Sequence, residues 1–79
     1  GLAHVLRELP PVLANDPLTP RQQQTLQELA RGSSTAQIAG RFGIARETVR
    51  NHISGVLRNL GAHSRLEAIA EARRRGLID

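Results

Sequence analysis

Apolar and polar residues separate into two faces between residues 46 and 60. The apolar residues follow spacings of four, three, one and three, and they are Val49, Ile53, Val56, Leu57 and Leu60. At about 100° per residue, a second set gathers on the opposite side of the same helix. This set, called the polar stripe below, consists of Glu47, Arg50, Asn51, Ser54 and Arg58. The pattern predicts a helix at about 46–60 that is buried on one face and exposed on the other.

A shorter helix is predicted just before it. Ser34 and Gln37 fit a capping box, in which each side chain satisfies a free backbone N–H of the other residue. The buried side of this helix is formed by Ile38, Ala39 and Phe42. Gly43 stands where a left-handed residue ends a helix, and Ile44 can fold back toward the preceding turn. Two helices joined by such a glycine predict a helix-turn-helix, with a plain helical hairpin as the alternative.

A helix upstream of this pair begins at residue 20. Thr19 is its predicted N-cap, Pro20 takes the first helical position, and Gln22 completes a capping box. Its buried residues are predicted to be Leu26, Leu29 and Ala30, before the stop at Gly32. The helix at 46–60 has only Ala45 at its N-cap, where serine or threonine is better by roughly 1 kcal/mol. We therefore expect its first turn to fray when nothing is bound.

A last helix is predicted at about 65–75. Ser64 and Glu67 fit another capping box, and Gly76 ends the helix. The residues expected to face the core are Leu66, Ile69 and Ala70. Ala68 and Ala72 lie one turn apart on the opposite side and form a flat strip on which a second copy can pack. Alternatively, these alanines are simply exposed helix formers.

The first seventeen residues are predicted to be a linker that carries a short helix. Helical spacing is found for Leu2, Val5, Leu6 and Leu9. Pro10 and Pro11 end any helix there, and Asn15-Asp16-Pro17 is typical of a turn. The linker either leads to a missing regulatory domain or packs on the core. The predicted fold is therefore all-α, a four-helix bundle that contains a helix-turn-helix and follows a short helical linker.

Composition excludes several classes of protein. The 79 residues make one small domain, and the absence of cysteine excludes disulfides and thiolate metal sites. The three histidines are scattered, so neither a metal site nor a cofactor is expected. No apolar run approaches the roughly 18 residues of a membrane span, and no signal peptide is recognisable, which predicts a cytoplasmic protein. An enzyme is not expected, because no nucleophile, base and orienting group can be placed together.

Positive charge is concentrated in the segment that carries the polar stripe. The net charge of +4 comes entirely from residues 41–79, because the charges of residues 1–40 cancel. Residues 41–65 hold one acid and five arginines, which are Arg41, Arg46, Arg50, Arg58 and Arg65. A basic face of this kind is typical of a module that neutralises phosphates, although a solvated surface can also be basic by chance. The guanidinium, amide and hydroxyl groups of the polar stripe can bind base edges, which favours DNA binding.

Four strings of the sequence resemble a known family. They are LTPRQQQTLQELARG, STAQIAGRFGI, ETVRNHISGVLRNLGAHSRLEAIA and RRGLI. Over about residues 18–78 the chain resembles the LuxR-type (GerE-like) helix-turn-helix domain of bacterial transcription regulators. The resemblance implies sequence-specific binding of double-stranded DNA by residues 18–79, with the third helix in the major groove and the fourth forming a homodimer. It also implies a missing N-terminal regulatory or sensor domain, and RNA polymerase as a further partner.

The resemblance assigns roles to individual residues. It implies base contacts from Arg50, Asn51 and Ser54. It implies phosphate contacts from Ser34, Thr35, Thr48, Arg58 and Arg65. For the homodimer, the sequence spacing described above points to Ala68 and Ala72.

The sequence departs from the family pattern at a few positions. The family usually has an acid at Gln22, a serine at Ala45 and often an asparagine at Gly55. A lysine-acid pair is usual where this chain has Ala36 and Gln37, so one phosphate contact can be lost. None of these departures alters the expected base contacts, and the prediction of DNA binding stands.

Two rival functions remain. Region 4 of a sigma factor has a similar LTPRQ and TVR pattern, but it is not expected to carry a fourth helix of the kind that HSRLEA begins. A protein-interaction module would instead direct the polar stripe at an acidic partner. Binding to a random DNA duplex distinguishes that module from a DNA-binding domain.

Overall fold

The computed structural model describes residues 18–79, which form four helices and no strand. The helices are α1 (Pro20–Ala30), α2 (Thr35–Phe42), α3 (Arg46–Leu60) and α4 (Arg65–Arg74). The all-α prediction is confirmed, and α3 has the bounds that its apolar spacing predicted. The predicted linker helix falls within residues 1–17 and lies outside the described part of the chain.

Both N-terminal capping boxes form as the sequence predicts. At α1, Gln22 N donates to Thr19 Oγ1 and Thr19 N donates to Gln22 Oε1, each over 3.1 Å. At α2, Gln37 N donates to Ser34 Oγ over 3.1 Å, and Ser34 N donates to Gln37 Oε1 over 2.8 Å. Each box satisfies two backbone donors that the helix cannot pair itself, so the starts of α1 and α2 are fixed locally.

Only half of the box predicted at α4 is present. Glu67 N donates to Ser64 Oγ over 3.1 Å, but the Glu67 carboxylate does not accept from the backbone N–H of Ser64. The φ angle of Ser64 is −151°, whereas φ is −64° at Thr19 and −76° at Ser34. This rotation turns the N–H of Ser64 away from the first helical turn, which leaves the carboxylate free.

Left-handed glycines end α2 and α3. Gly43 has a φ of 67°, and the N–H of Ile44 reaches back to the carbonyl of Ala39 over 3.1 Å. Gly61 has a φ of 66°, and the N–H of Ala62 reaches the carbonyl of Leu57 over 2.8 Å. The arrangement at Gly43 is the Schellman stop predicted after α2, and the turn at Gly43 sets the direction in which α3 begins.

Two buried clusters hold the helices together, and α3 contributes to both. One joins α1, α3 and α4 and contains Leu26, Val56, Leu60, Ala68 and Ala72. The other joins α1, α2 and α3 and contains Leu29, Ile38, Ala39, Val49 and Ile53. Because α3 packs against all three other helices, its buried face is fixed from every side and its polar face is directed outward.

The predicted orientation of α4 is wrong for four of its five residues, whereas Ile69 packs on the second cluster as predicted. Ala68 and Ala72 are 0% exposed and belong to the core, whereas Leu66 is 80% exposed and Ala70 is also exposed. Alanine on the inner face lets α4 approach α1 and α3 closely. The large apolar side chains on this side of the core come instead from Leu77 and Ile78, which pack on the same cluster after the turn at Gly76. The two alanines therefore cannot form a contact with a second copy.

A buried carboxylate joins the end of α1 to α2. Glu28 is 6% exposed, and one of its oxygens accepts from Ser33 Oγ over 2.8 Å and from Arg41 over 2.7 Å. Its other oxygen accepts from Arg31 over 3.1 Å. Desolvation of a carboxylate is costly, so these three donors are what allow it to lie inside. We call this group the Glu28 network.

Candidate nucleic-acid interface

The polar stripe is solvent-exposed along its whole length. Glu47, Arg50, Asn51, Ser54 and Arg58 are all exposed, as the sequence predicts. Behind them Val49 and Val56 are fully buried and Ile53 is nearly so. No hydrogen bond or ion pair within residues 18–79 engages the side chains of Arg50, Asn51 or Ser54. Their donors and acceptors are therefore available to a ligand without first breaking a contact.

Two of the predicted phosphate-binding residues meet across the fold. Arg65 opens α4 and Thr35 opens α2, and they lie 30 residues apart in sequence. The Arg65 guanidinium donates to Thr35 Oγ1 over 2.8 Å. Ser34 immediately precedes Thr35. It is exposed, and its hydroxyl caps α2 by accepting from Gln37 N. The structure thus brings the beginnings of α2 and α4 together at one place on the surface.

The remaining predicted phosphate residues lie on α3. Thr48 is exposed in the first turn of α3, and Arg58 is exposed in its last turn. They stand at opposite ends of the polar stripe. A ligand that lay along α3 would meet a hydroxyl at one end and a guanidinium at the other.

The start of α3 has no side-chain cap, as predicted. Ala45 has an extended backbone at the N-cap and makes no capping hydrogen bond, whereas Thr19, Ser34 and Ser64 each accept one at the other three helices. Free backbone N–H groups therefore remain beside the polar stripe. Glu47 is the acidic residue of this first turn.

The departures from the family pattern at Gln22 and Gly55 prove to be in contact. A Cβ atom on Gly55 would lie 2.8 Å from Nε2 of Gln22, closer than such atoms can approach. Gln22 also closes the capping box of α1 through its Oε1. The amide of Gln22 therefore occupies the space beside α3 that a side chain at position 55 would need. The sequence showed both departures but gave no sign that they form a pair.

The basic face is smaller than the sequence suggested. Of its five arginines, Arg41 is engaged by the Glu28 carboxylate over 2.7 Å. At the far end of α4, hydrogen bonds from Arg74 and then Arg75 lower the pKa of Glu71 to about 2, so this carboxylate offsets part of their positive charge. We missed the Glu28 contact because Arg41 lies 13 residues away in sequence. The Glu71 group does follow local spacing, three residues to Arg74 and four to Arg75, and we did not use that spacing. The positive charge of α3 that has no partner among the described residues lies on Arg46, Arg50 and Arg58.

Residues 18–79 contain no helix long and apolar enough to cross a membrane. In the same range, no group of three or more side chains could hold a metal ion. Arg21 lies over the ring of Phe42, with its Cζ 4.3 Å from the ring centroid, and this contact links α1 to α2. The polar stripe on α3 is thus backed by the two buried clusters, and α1 and α2 are joined by the Glu28 network and this cation–π contact.

Comparisons with known proteins agree on one family. The family model described as bacterial regulatory proteins of the luxR family matches residues 16–72. The chain is 36% identical over 62 residues to the spore germination protein GerE of Bacillus subtilis (strain 168), covering 78% of this chain and 84% of GerE. It is 39% identical over 61 residues to the transcriptional regulatory protein DesR of the same strain, covering 77% of this chain and 31% of DesR.

A solved structure gives the same result. A crystal structure of the response regulator ChrA of a heme-sensing two-component system superposes with a TM-score of 0.79 at 30% sequence identity, covering 98% of this chain and 36% of ChrA. The chain spans about a third or less of several relatives, including DesR and the glycerol metabolism activator of Pseudomonas putida, of which it covers 25%. The helix-turn-helix geometry, the family match and these relatives together show that the chain belongs to the luxR family of bacterial regulatory proteins.

Proposed function

We propose that this chain is the sequence-specific DNA-binding output domain of a bacterial transcription regulator, with α3 in the major groove. The observation that carries the proposal is the exposed polar stripe, which has no partner within residues 18–79 and lies on a helix whose opposite face is buried by all three other helices. An α-helix fits the width of the major groove of B-form DNA. The names of the relatives, among them transcriptional regulators and activators, support the same function.

Base contacts are assigned to Arg50, Asn51 and Ser54. These side chains project from the first half of α3, the end that enters the groove in helix-turn-helix docking. A guanidinium binds guanine O6 and N7, a carboxamide binds adenine N6 and N7, and a hydroxyl can bind either. Because none of the three has a partner within residues 18–79, each can contact a base without losing a protein contact.

Phosphate contacts are assigned to Ser34, Thr35, Thr48, Arg58 and Arg65. The hydrogen bond from Arg65 to Thr35 supports this assignment, because it holds a guanidinium and a hydroxyl side by side at one point of the surface. A guanidinium has further N–H donors to offer when one is already used. Arg58, a turn beyond Ser54, is placed where α3 leaves the bases for the backbone.

A homodimer formed through α4 is part of the proposal, with its contact on the outer face of that helix. Leu66 is 80% exposed, the large hydrophobic side chain most exposed within residues 18–79, and Ala70 lies one turn along. A two-fold contact buries the same patch on both copies. We expect Leu66→Glu to weaken paired half-site binding while single half-site binding is retained, because like charges then meet near the axis. Sedimentation and titration on single and paired half-sites measure this, and unchanged cooperativity contradicts the contact.

Residues 1–17 are proposed to join this domain to a regulatory or sensor domain. The chain covers only 31% of DesR, so the relative has ample length for such a domain. A second domain that holds two copies together raises their effective concentration on DNA, so the isolated domain binds weakly. In this proposal the DNA-bound regulator also contacts RNA polymerase.

The salt dependence of binding to DNA tests the proposal. Each phosphate that the protein neutralises releases counterions, so log affinity falls linearly with log salt with a slope of about −0.9 per phosphate. Several contacts per copy predict a steep negative slope. Fluorescence anisotropy on a labelled duplex at increasing salt measures it. A slope near zero, or no binding to any duplex at low salt, contradicts DNA binding.

A further inference from the structure

Glu47 is an acid on an otherwise basic and neutral surface. It lies in the first turn of α3, three residues before Arg50 and four before Asn51, so all three share one side of the helix. Its side chain is exposed, and it takes part in no hydrogen bond or ion pair within residues 18–79. A carboxylate on a surface that approaches phosphates is repelled by them, so its position calls for a specific donor.

The other glutamates within residues 18–79 are of two kinds. Glu28 and Glu71 are bound by arginines, Glu28 in a buried position and Glu71 at the surface. Glu67 resembles Glu47, since it too is exposed in the first turn of a helix and its carboxylate has no partner within the described residues. Glu67 lies on α4, which contributes no residue to the polar stripe. It therefore provides a natural control for whatever an unpaired acid does at a helix start.

An ionised carboxylate can accept hydrogen bonds but cannot donate them. In the major groove, guanine and thymine present acceptors, while cytosine N4 and adenine N6 present donors, and a carboxylate pairs best with cytosine N4. We propose that Glu47 is a specificity-determining residue that accepts a hydrogen bond from the exocyclic amino group of a cytosine. The cytosine lies next to the base pair contacted by Arg50 or Asn51. The proposal rests on the proposed function, because it requires α3 to lie in the major groove.

A second role for Glu47 is structural. A negative charge in the first turn favours the helix dipole, and α3 has no side-chain cap to do so. That role affects folding stability and is indifferent to the sequence of the DNA. Glu67 is likewise an acid in the first turn of α4, but α4 also has the Ser64 cap, so loss of the Glu67 charge is expected to lower the melting temperature no more than loss of the Glu47 charge. Base preference separates the two roles, since only a base contact changes which duplex is bound best.

The experiment uses duplexes selected from a randomised pool by the 79-residue chain. Wild type is expected to enrich a cytosine at a position beside the main guanine or adenine contact. Glu47→Gln is expected to lose this preference by about tenfold and to shift it toward adenine, because a carboxamide pairs with adenine N6 and N7. Glu67→Gln removes the same charge elsewhere and is expected to keep the wild-type preference.

A modified base tests the contact directly. N4-methylcytosine still pairs with guanine but carries a methyl group where the major-groove N–H stood. At the selected position it is expected to weaken wild-type binding about tenfold and to leave Glu47→Gln unchanged. If Glu47→Gln binds every duplex more tightly with unchanged preference, Glu47 acts only by repelling phosphates and the inference is overturned. If wild type enriches no sequence, the proposed function fails and this inference fails with it.

Discussion

The junction of α1 with α2 and the exposed start of α3 differ in how their polar groups are paired. At the junction, Glu28 is surrounded by three donors, and Ser34 caps α2. At the start of α3, Ala45 provides no cap, and the side chains of Arg50 and Asn51 have no partner within the described residues. Within residues 18–79, polar groups are satisfied internally at the junction and are left without an internal partner on the exposed face of α3, where the proposed DNA contact would supply one.

This difference separates two kinds of arginine. Arg41 contributes to the framework, because its guanidinium binds a nearly buried carboxylate over 2.7 Å. Arg50 is exposed, and its guanidinium makes no hydrogen bond or ion pair within residues 18–79. A substitution at Arg50 should therefore change DNA binding, whereas a substitution at Arg41 should change the free energy of unfolding. The effects are given below from the largest to the smallest.

The largest effect is expected in the polar stripe and only on DNA binding. Asn51→Ala should cost about 1–3 kcal/mol on the preferred duplex and flatten discrimination at one base pair, because a base edge loses its partner. Arg58→Ala is the matched variant on the same helix. It should weaken binding to all duplexes alike and reduce the salt slope by roughly one unit.

Anisotropy titration on a specific and a scrambled duplex, at several salt concentrations, measures both variants. The melting temperature of each should stay near that of wild type, since neither side chain is buried. Equal losses for Asn51→Ala on both duplexes, or a changed base preference for Arg58→Ala, would show that α3 docks in another register.

A smaller effect of the opposite kind is expected at the junction. Arg41→Ala removes one of three donors from the Glu28 carboxylate, and we expect the free energy of unfolding to fall by about 1 kcal/mol. The arginine side chain is 53% exposed, which keeps the loss small. Urea unfolding followed by circular dichroism measures it. Base preference should not change, and a loss of discrimination without loss of stability would place Arg41 in the interface instead.

The smallest effect is expected from adding the missing N-cap to α3. Ala45→Ser supplies the missing cap and should raise the free energy of unfolding by about 0.5–1 kcal/mol. Amide hydrogen exchange in the first turn of α3 should slow at the same time. Ser34→Ala, which removes a cap that exists, is the matched control and should destabilise the domain. An Ala45→Ser variant with unchanged exchange would show that the first turn is already fully ordered.

Features that depend on neighbouring residues were predictable from the sequence. The capping boxes at Thr19 and Ser34, the stop at Gly43 and the two faces of α3 involve positions within a turn or two of each other. The half-formed box at Ser64 shows the limit, because residue types alone do not set the φ angle that the second hydrogen bond requires.

Features that depend on tertiary contacts were not predictable from spacing. In α4, Leu66 with Ala70 and Ala68 with Ala72 follow helical periodicity equally well, and we chose the larger side chains for the core. The choice was wrong because Leu77 and Ile78 fill that space from beyond the helix. The Glu28 network likewise joins residues up to 13 positions apart, and a contact over that separation cannot be predicted from a local sequence pattern.

The contact of Gln22 with Gly55 bears on how DNA specificity can be exchanged between regulators. Recognition helices are attractive units for chimeras, because their exposed residues can be transplanted while the scaffold is kept. Here a helix with a side chain at position 55 would displace the Gln22 amide, and that amide also closes the cap of α1. Because the amide is the far end of a flexible side chain, it can move aside, so a graft that changes position 55 alone is expected to weaken the cap of α1 and to leave the fold intact.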